Sequence, residues 1–223
     1  MLFSVEKCKE LASDPSTISE IIPGFEVIQL KDVHPERLKK AEEEEGVTPV
    51  KMGGAGATDI IYSVLKATNS RKIIETGVAY GWSSFAILCH LDDINDGHLI
   101  SIDRPYPGLD NEAYVGAIVP QDLRGRWTLL RGSDRQMLPI ALDSVENLDF
   151  VHYDSDKSHA GRMYAYPLLW DALVPGGVLM SDDIGDNMAF IEFAQASGAS
   201  FKIIAIRNKH VGLMVKPRIA NRN

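Results

Sequence analysis

The 223-residue sequence has little cysteine and no paired cysteine motif. Cys8 and Cys89 each stand alone without a CxxC partner, so neither a disulfide framework nor a zinc site is indicated, and a reducing, cytoplasmic setting is expected. A basic stripe is also lacking. The formal net charge is -8, which disfavours both a nucleic-acid backbone and an anionic membrane surface as partners. No uncharged run is long enough to span a bilayer, and Met1–Asp14 carries Glu6, Lys7, Lys9 and Glu10 where a signal peptide would be apolar. Internal repeats and low-complexity segments are absent. What remains is ordinary for a soluble globular protein: 45% hydrophobic and 24% charged residues, in a length suited to one α/β domain.

From Lys72 onward, apolar runs alternate with helical patterns. Lys72–Thr76, His98–Asp103, Trp127–Arg131, Leu148–Tyr153 and Gly177–Ser181 read as strands, and Phe201–Arg207 and Val211–Lys216 as a closing pair joined by a short turn. Between them, Ser83–His90, Gln136–Asp143, Arg162–Asp171 and Asn187–Ser197 read as helices. Strands separated by helices pair in parallel, and a tight final hairpin reverses one strand. Seven strands are expected, six parallel and one reversed. The first 70 residues read as helices and loops. They include a charged helix Pro35–Gly46 whose AEEEEG end is a solvated face, the glycine-rich stretch Met52–Ala57 (MGGAGA) and an amphipathic helix Thr58–Thr68. Arg104–Gln121 is a long connection with three prolines, of the kind that lines sites at the carboxyl ends of strands.

The segment Glu75-Thr-Gly77-Val-Ala-Tyr-Gly81-Trp-Ser83 follows the first strong strand and opens a helix. Glycines there allow a sharp turn and close approach of a ligand to free helix N–H groups. A P-loop would need GxxxxGK[ST], which is absent. A dinucleotide turn needs a small residue where Trp82 stands, so a pyrophosphate is disfavoured. An adenosyl group with an amino-acid tail remains. Glu75 offers an acid for the tail's ammonium, and Asp103, ending the next strand, offers oxygens for a ribose diol.

These residues carry a resemblance. ETGVAYGWSS resembles motif I of class I methyltransferases in its ExGxxxGxS form, as found in the catechol O-methyltransferase group and its bacterial small-molecule relatives. HLISIDRPY, WTLLRGSD, LDFVHYDSDKSHAG and LVPGGVLMSDD are similar to the motifs that follow in those families, over roughly Gly53 to Lys216. The resemblance implies an α/β, Rossmann-like sheet with helices on both faces, and S-adenosylmethionine as cofactor. It places Gly77, Gly81, Ser83 and Asp103 at the cofactor, Ser133 and Asp134 near the adenine, and Gly53 with Gly54 in a loop over the methionine tail. It further implies a helical cap with substrate elements in residues 1–70, a cofactor-binding domain in 71–223, and a homodimer as an option.

A second constellation is acidic. Asp154 ends one strand and Asp182-Asp183 end the next, and neighbouring strands lie about 4.8 Å apart, so these carboxylates can converge. Converging carboxylates repel unless a cation joins them, and hard oxygen ligands suit Mg²⁺ or another hard divalent ion. In metal-dependent O-methyltransferases the equivalent positions hold the ion, and the resemblance assigns Asp154, Asp182 and Asp183 to it, with Asp154 also counted among the cofactor contacts. Lys157, three residues beyond Asp154, falls where the catechol group has its general base. It is either that base or a surface lysine pairing with Asp156, and Asp156 and His159 are the other candidate bases.

The leading expectation is therefore metal-assisted O-methylation of a small hydroxylated molecule. The alternatives are an oxidoreductase or antibiotic-pathway hydroxylase on the same fold, and a non-catalytic adenosyl-ligand protein.

Overall fold

The structure, a computed structural model, describes residues 2–106, 108 and 110–218. Eight strands form one sheet: β1 (Ala12–Ser13), β2 (Lys72–Thr76), β3 (His98–Asp103), β4 (Trp127–Arg131), β5 (Leu148–Tyr153), β6 (Leu173–Ser181), β7 (Ser200–Ile206) and β8 (Lys209–Val215). Their order is β1-β7-β8-β6-β5-β2-β3-β4. β8 runs antiparallel to both neighbours, and the other pairings are parallel. The mostly parallel sheet with one reversed strand is thus as expected, with one strand more. Ala12–Ser13, in the region read as helices and loops, pairs with Ile203–Ile204 at the sheet edge. Two residues carry no periodicity, so nothing in the sequence marked them. β6 also starts earlier than expected, at Leu173, with a register irregularity against β5 between Leu148 and Phe150.

The helices are α1 (Leu2–Leu11), α2 (Leu30–Val33), α3 (Pro35–Val47), α4 (Thr58–Thr68), α5 (Trp82–Asp93), α6 (Asp134–Asp143), α7 (His159–Ala172) and α8 (Ala189–Ser197). Successive strand residues point to opposite faces, and two cores result. Ile73, Phe150, Val178 and Met180 pack with the apolar residues of α4 and α5. Ile74, Ile102, Val151, Tyr153 and Leu179 pack with those of α6, α7 and α8. Burial on both faces explains why these strands read as continuous apolar runs.

The chain order reverses at β2, which lies between β3 and β5. The crevice beyond the carboxyl ends of such strands is where an α/β sheet leaves room for a ligand. Among the described residues no helix is long and apolar enough to cross a membrane.

Candidate active site

A cavity of about 1000 Å³ opens at that switch point. Its floor is a row of strand-end residues. Asp103 closes β3, Gly77 follows β2, Asp154 follows β5 and Asp182 follows β6, and all four line the cavity. The Gly77 amide donates to Ile102 O (2.8 Å), the Asp154 amide to Thr76 O (2.8 Å) and the Asp182 amide to Tyr153 O (3.0 Å), so each ladder is continued one step past its strand. Gly77 has φ +82°, and a Cβ there would run into the Asp154 backbone. Glycine is required at this point by a neighbouring strand as much as by a ligand.

Most of the expected residues gather around this cavity: Gly53, Gly54, Gly77, Ser83, Asp103, Ser133, Asp134, Asp154, Asp156, Lys157 and Asp182. Asp103 is buried. Its Oδ1 accepts from the Val78 amide at 2.8 Å, and its Oδ2 is ion-paired with Arg131. Arg131 in turn forks onto Glu112 of the long connection, Nε to Oε1 at 2.7 Å and Nη2 to Oε2 at 2.5 Å. Ser133 precedes α6, where its hydroxyl and amide donate to Gln136 Oε1. Asp134 Oδ2 accepts from Ser155 Oγ (2.6 Å) and Tyr153 OH (3.2 Å), and burial lifts its pKa above the ordinary carboxylate range against those hydrogen bonds.

Four expected residues do not line the cavity: Asp183, at its acidic end, and Glu75, Gly81 and His159, which stand apart from it. Glu75 is fully buried beneath the turn, where its Oε2 accepts from Ser84 Oγ (2.5 Å) and Ser101 Oγ (2.6 Å). Its Oε1 lies 3.7 Å from His152 Nδ1, and burial, which lowers the His152 pKa, is outweighed by this carboxylate. The reason is register: Glu75 lies opposite Ser101 and His152, one pleat short of the cavity row. Gly81 serves packing rather than the ligand face, since a Cβ there would lie 3.0 Å from Gly116 Cα and 2.9 Å from Val119 Cγ2. His159 begins α7 on the surface and pairs with Glu192 at 2.7 Å.

The acidic end is tightly wired. Asp154, Asp182 and Asp183 each offer an oxygen within 4.8 Å of the others. Asp183 does not line the cavity but holds a left-handed backbone (φ 50°) that turns its carboxylate back toward the group. The fully buried Arg162 pins the pair from beneath, its Nη2 donating to the carbonyls of Asp182 (3.1 Å) and Asp183 (2.9 Å). Lys157 pairs with Asp154 (3.1 Å) and Asp183, not with Asp156. Burial would lower the Lys157 pKa, but Asp154 and Asp183 outweigh it and hold the ammonium above its ordinary value. Burial and the Asp182 charge raise Asp154 to about 6. Its Oδ1 is buried without an aligned hydrogen bond.

Several contributors had no motif to announce them. Glu45, last of the glutamate run read as a solvated face, accepts from Trp82 Nε1 at 3.2 Å. Tyr80 OH donates to Val50 O (2.6 Å) and accepts from the Met52 amide (3.1 Å). These contacts tether the glycine-rich strap 52–57 over the turn. Lys209, at the start of β8, reaches the acidic cluster from the closing hairpin.

Residues 74–184 match the model of a methyltransferase domain. The matched segment holds every expected site residue except Gly53 and Gly54. No curated protein matches the sequence. Among solved structures, the O-methyltransferase from Bacillus cereus in complex with S-adenosylhomocysteine is 13% identical over 94% of this chain and 100% of that one, with a TM-score of 0.59. The O-methyltransferase of tomaymycin synthesis from Streptomyces achromogenes, in complex with S-adenosylmethionine, is 17% identical over 93% and 98%, with a TM-score of 0.59. An S-adenosylhomocysteine-bound methyltransferase from Podospora anserina is 12% identical over 92% and 94%, at 0.60. At such identities the structures speak to fold, which they share with this chain over nearly its whole length. With the glycine turn, Asp103 and the strand-end acids all inside the matched segment, the chain carries a methyltransferase domain.

Proposed function

We propose that the protein transfers a methyl group to a hydroxyl of a small molecule, with a divalent cation at its acidic end. The observation that carries this reading is that one cavity joins the glycine turn and Asp103 to Asp154 and Asp182. A methyl donor and a gripped acceptor would therefore meet in one enclosed space. Bound there, S-adenosylmethionine supplies the activated methyl on its sulfonium.

The chain's own residues then divide the work. Asp103, fixed by Val78 and Arg131, keeps accepting capacity for a ribose diol. Ser133 and Asp134 border the adenine end, Ser83 and the turn at Gly77 face the methionine portion, and Asp154 accepts from its ammonium. The strap at Gly53–Gly54, which follows the segment held by Tyr80, shields that tail from water, so the capping part of the N-terminal region is this strap, while Ala12–Ser13 belongs to the sheet. Asp154, Asp182 and Asp183 have the hard oxygen donors and spacing for Mg²⁺, and Asp154 Oδ1, which lies 3.1 Å from Lys157 Nζ, would be a ligand position once that ammonium yields it. A dication there supplies positive charge that lowers the pKa of an acceptor hydroxyl. Lys157 is the residue placed to take the hydroxyl proton. Asp154 and Asp183 keep it charged, so it turns basic only when those carboxylates have another partner. Asp156 faces the cavity as a second acceptor, and His159 on the surface takes no part.

Calorimetry with S-adenosylhomocysteine tests the cofactor site, with NAD as the comparison. An acceptor screen with radiolabelled S-adenosylmethionine, in Mg²⁺ and in EDTA, tests the chemistry. Binding of the nucleoside with EDTA-sensitive methylation of phenols or other hydroxyls is expected. No affinity for the nucleoside, or labelling confined to amines or carbon, would overturn the proposal.

A further inference from the structure

Lys209 sits on the acidic cluster from an element outside the matched methyltransferase segment. It opens β8, and the Ile206–Lys209 pairing of the hairpin fixes its backbone at the cavity mouth. Its ammonium lies 3.0 and 3.1 Å from the two oxygens of Asp183 and 3.8 Å from Asp182 Oδ2. Lys157 contacts Asp183 from the other side and lies 3.1 Å from Asp154. Three carboxylates thus face two ammonium groups, so the cluster carries about one net negative charge rather than three.

The charges matter because a divalent ion needs these same oxygens. With both Asp183 oxygens on lysines, an ion would have to share an oxygen with an ammonium. An ion placed among the carboxylates with both ammoniums kept would also meet two like charges within a few ångströms. Lys157 is only part-exposed, whereas the Lys209 side chain is half exposed and can swing into solvent. Asp182 and Asp183 cannot retreat in the same way. Arg162 holds their carbonyls, and the Asp183 amide donates to Asp182 Oδ1 at 2.9 Å.

We infer that Lys209 is an internal competitor for the divalent cation. It occupies Asp182 and Asp183 when the ion is scarce and must withdraw for the ion to bind, which makes it a determinant of metal affinity. This rests on the reading above that the three aspartates accept a dication.

Full-length wild type, K209M and K209R, stripped with chelator, are titrated with Mn²⁺, and free Mn²⁺ is read by electron paramagnetic resonance. S-adenosylhomocysteine affinity is measured on the same samples. K209M is expected to bind Mn²⁺ about tenfold tighter or more than wild type, because one like charge has been removed from the site. K209R, which keeps the charge, gains nothing. K209Q removes the charge with a polar side chain and replaces K209M should that variant melt early. Equal or weaker Mn²⁺ binding after loss of the charge, equal tightening in K209R, or no Mn²⁺ binding by any variant would each overturn the inference. Intact nucleoside binding in those cases leaves the cofactor site standing, whereas its loss in wild type sinks the methyl-transfer reading instead.

Discussion

Replacing Gly77 with alanine tests the geometry on which the cavity depends. Gly77 adopts φ +82°, and an L-residue forced into this left-handed region costs about 1 kcal/mol or slightly more. The new Cβ would lie 2.7 Å from the Asp154 carbonyl carbon and closer still to its oxygen. Carbon atoms rest at roughly 3.5–4.0 Å, so the overlap is about 1 Å, and it falls on backbone that cannot rotate away. Relieving it by shifting the end of β5 is an overpacking cost of about 2 kcal/mol. The sum, about 3 kcal/mol, lowers the melting temperature by roughly 6–12 °C for a chain of this size. Gly24 is the control, because it has a similar φ (+80°) and a Cβ added there would have nothing within 4 Å. Gly24→Ala therefore carries the backbone cost alone, a drop of roughly 2–4 °C. Asp154 moves only in the first variant, so S-adenosylhomocysteine affinity by calorimetry falls about tenfold or more in Gly77→Ala, an effect of about 1.4 kcal/mol, and stays unchanged in Gly24→Ala. Equal melting shifts in the two variants, or undiminished nucleoside affinity in Gly77→Ala, would refute the close approach of turn and strand.

Further outcomes follow from single contacts. Arg131→Met frees the Asp103 carboxylate from its clamp and from Glu112, and nucleoside affinity measured by calorimetry drops roughly five- to tenfold. Trp82→Phe deletes the hydrogen bond to Glu45, costs about 1 kcal/mol of stability, and speeds amide exchange in residues 48–57 as read by mass spectrometry. His90 is buried with Nε2 2.8 Å from Ser70 O, and burial holds its pKa below the ordinary value. A depressed histidine gives its full stability above the unfolded pKa of about 6.5 and loses it as the pH falls below that value, so the acid-side decline in melting temperature is shallower in His90→Gln.

The sheet was legible because its strands are buried on both faces and read as apolar runs, whereas β1 was not, because its two residues pair only through backbone at an edge. The site divided in the same way. Asp103 and Glu75 look alike in sequence, each an acid near a strand end followed by a turn. Register separates them. Glu75 is opposite Ser101 in β3 and His152 in β5, and these three form a polar row inside the sheet. Side chains two apart on a strand share a face, so the next residues on that face are Asp103, Gly77 and Asp154. That second row lies past the last ladder pairs that β2 makes with β3 and β5, where the cavity opens. A signal for the inner row was present, since Glu75, Ser101 and His152 each follow apolar residues near the carboxyl ends of β2, β3 and β5. Using it required the strand pairing, which lies outside any single strand's sequence. Glu45, Arg131 and Lys209 were hidden by the same kind of distance: a helix face, a strand end and a hairpin, each polar in the ordinary way, acquire a role only through what the fold sets opposite them. A carboxylate one pleat inside the sheet is matched to serine and histidine and supports the turn, and one pleat further out the same group lines the cavity.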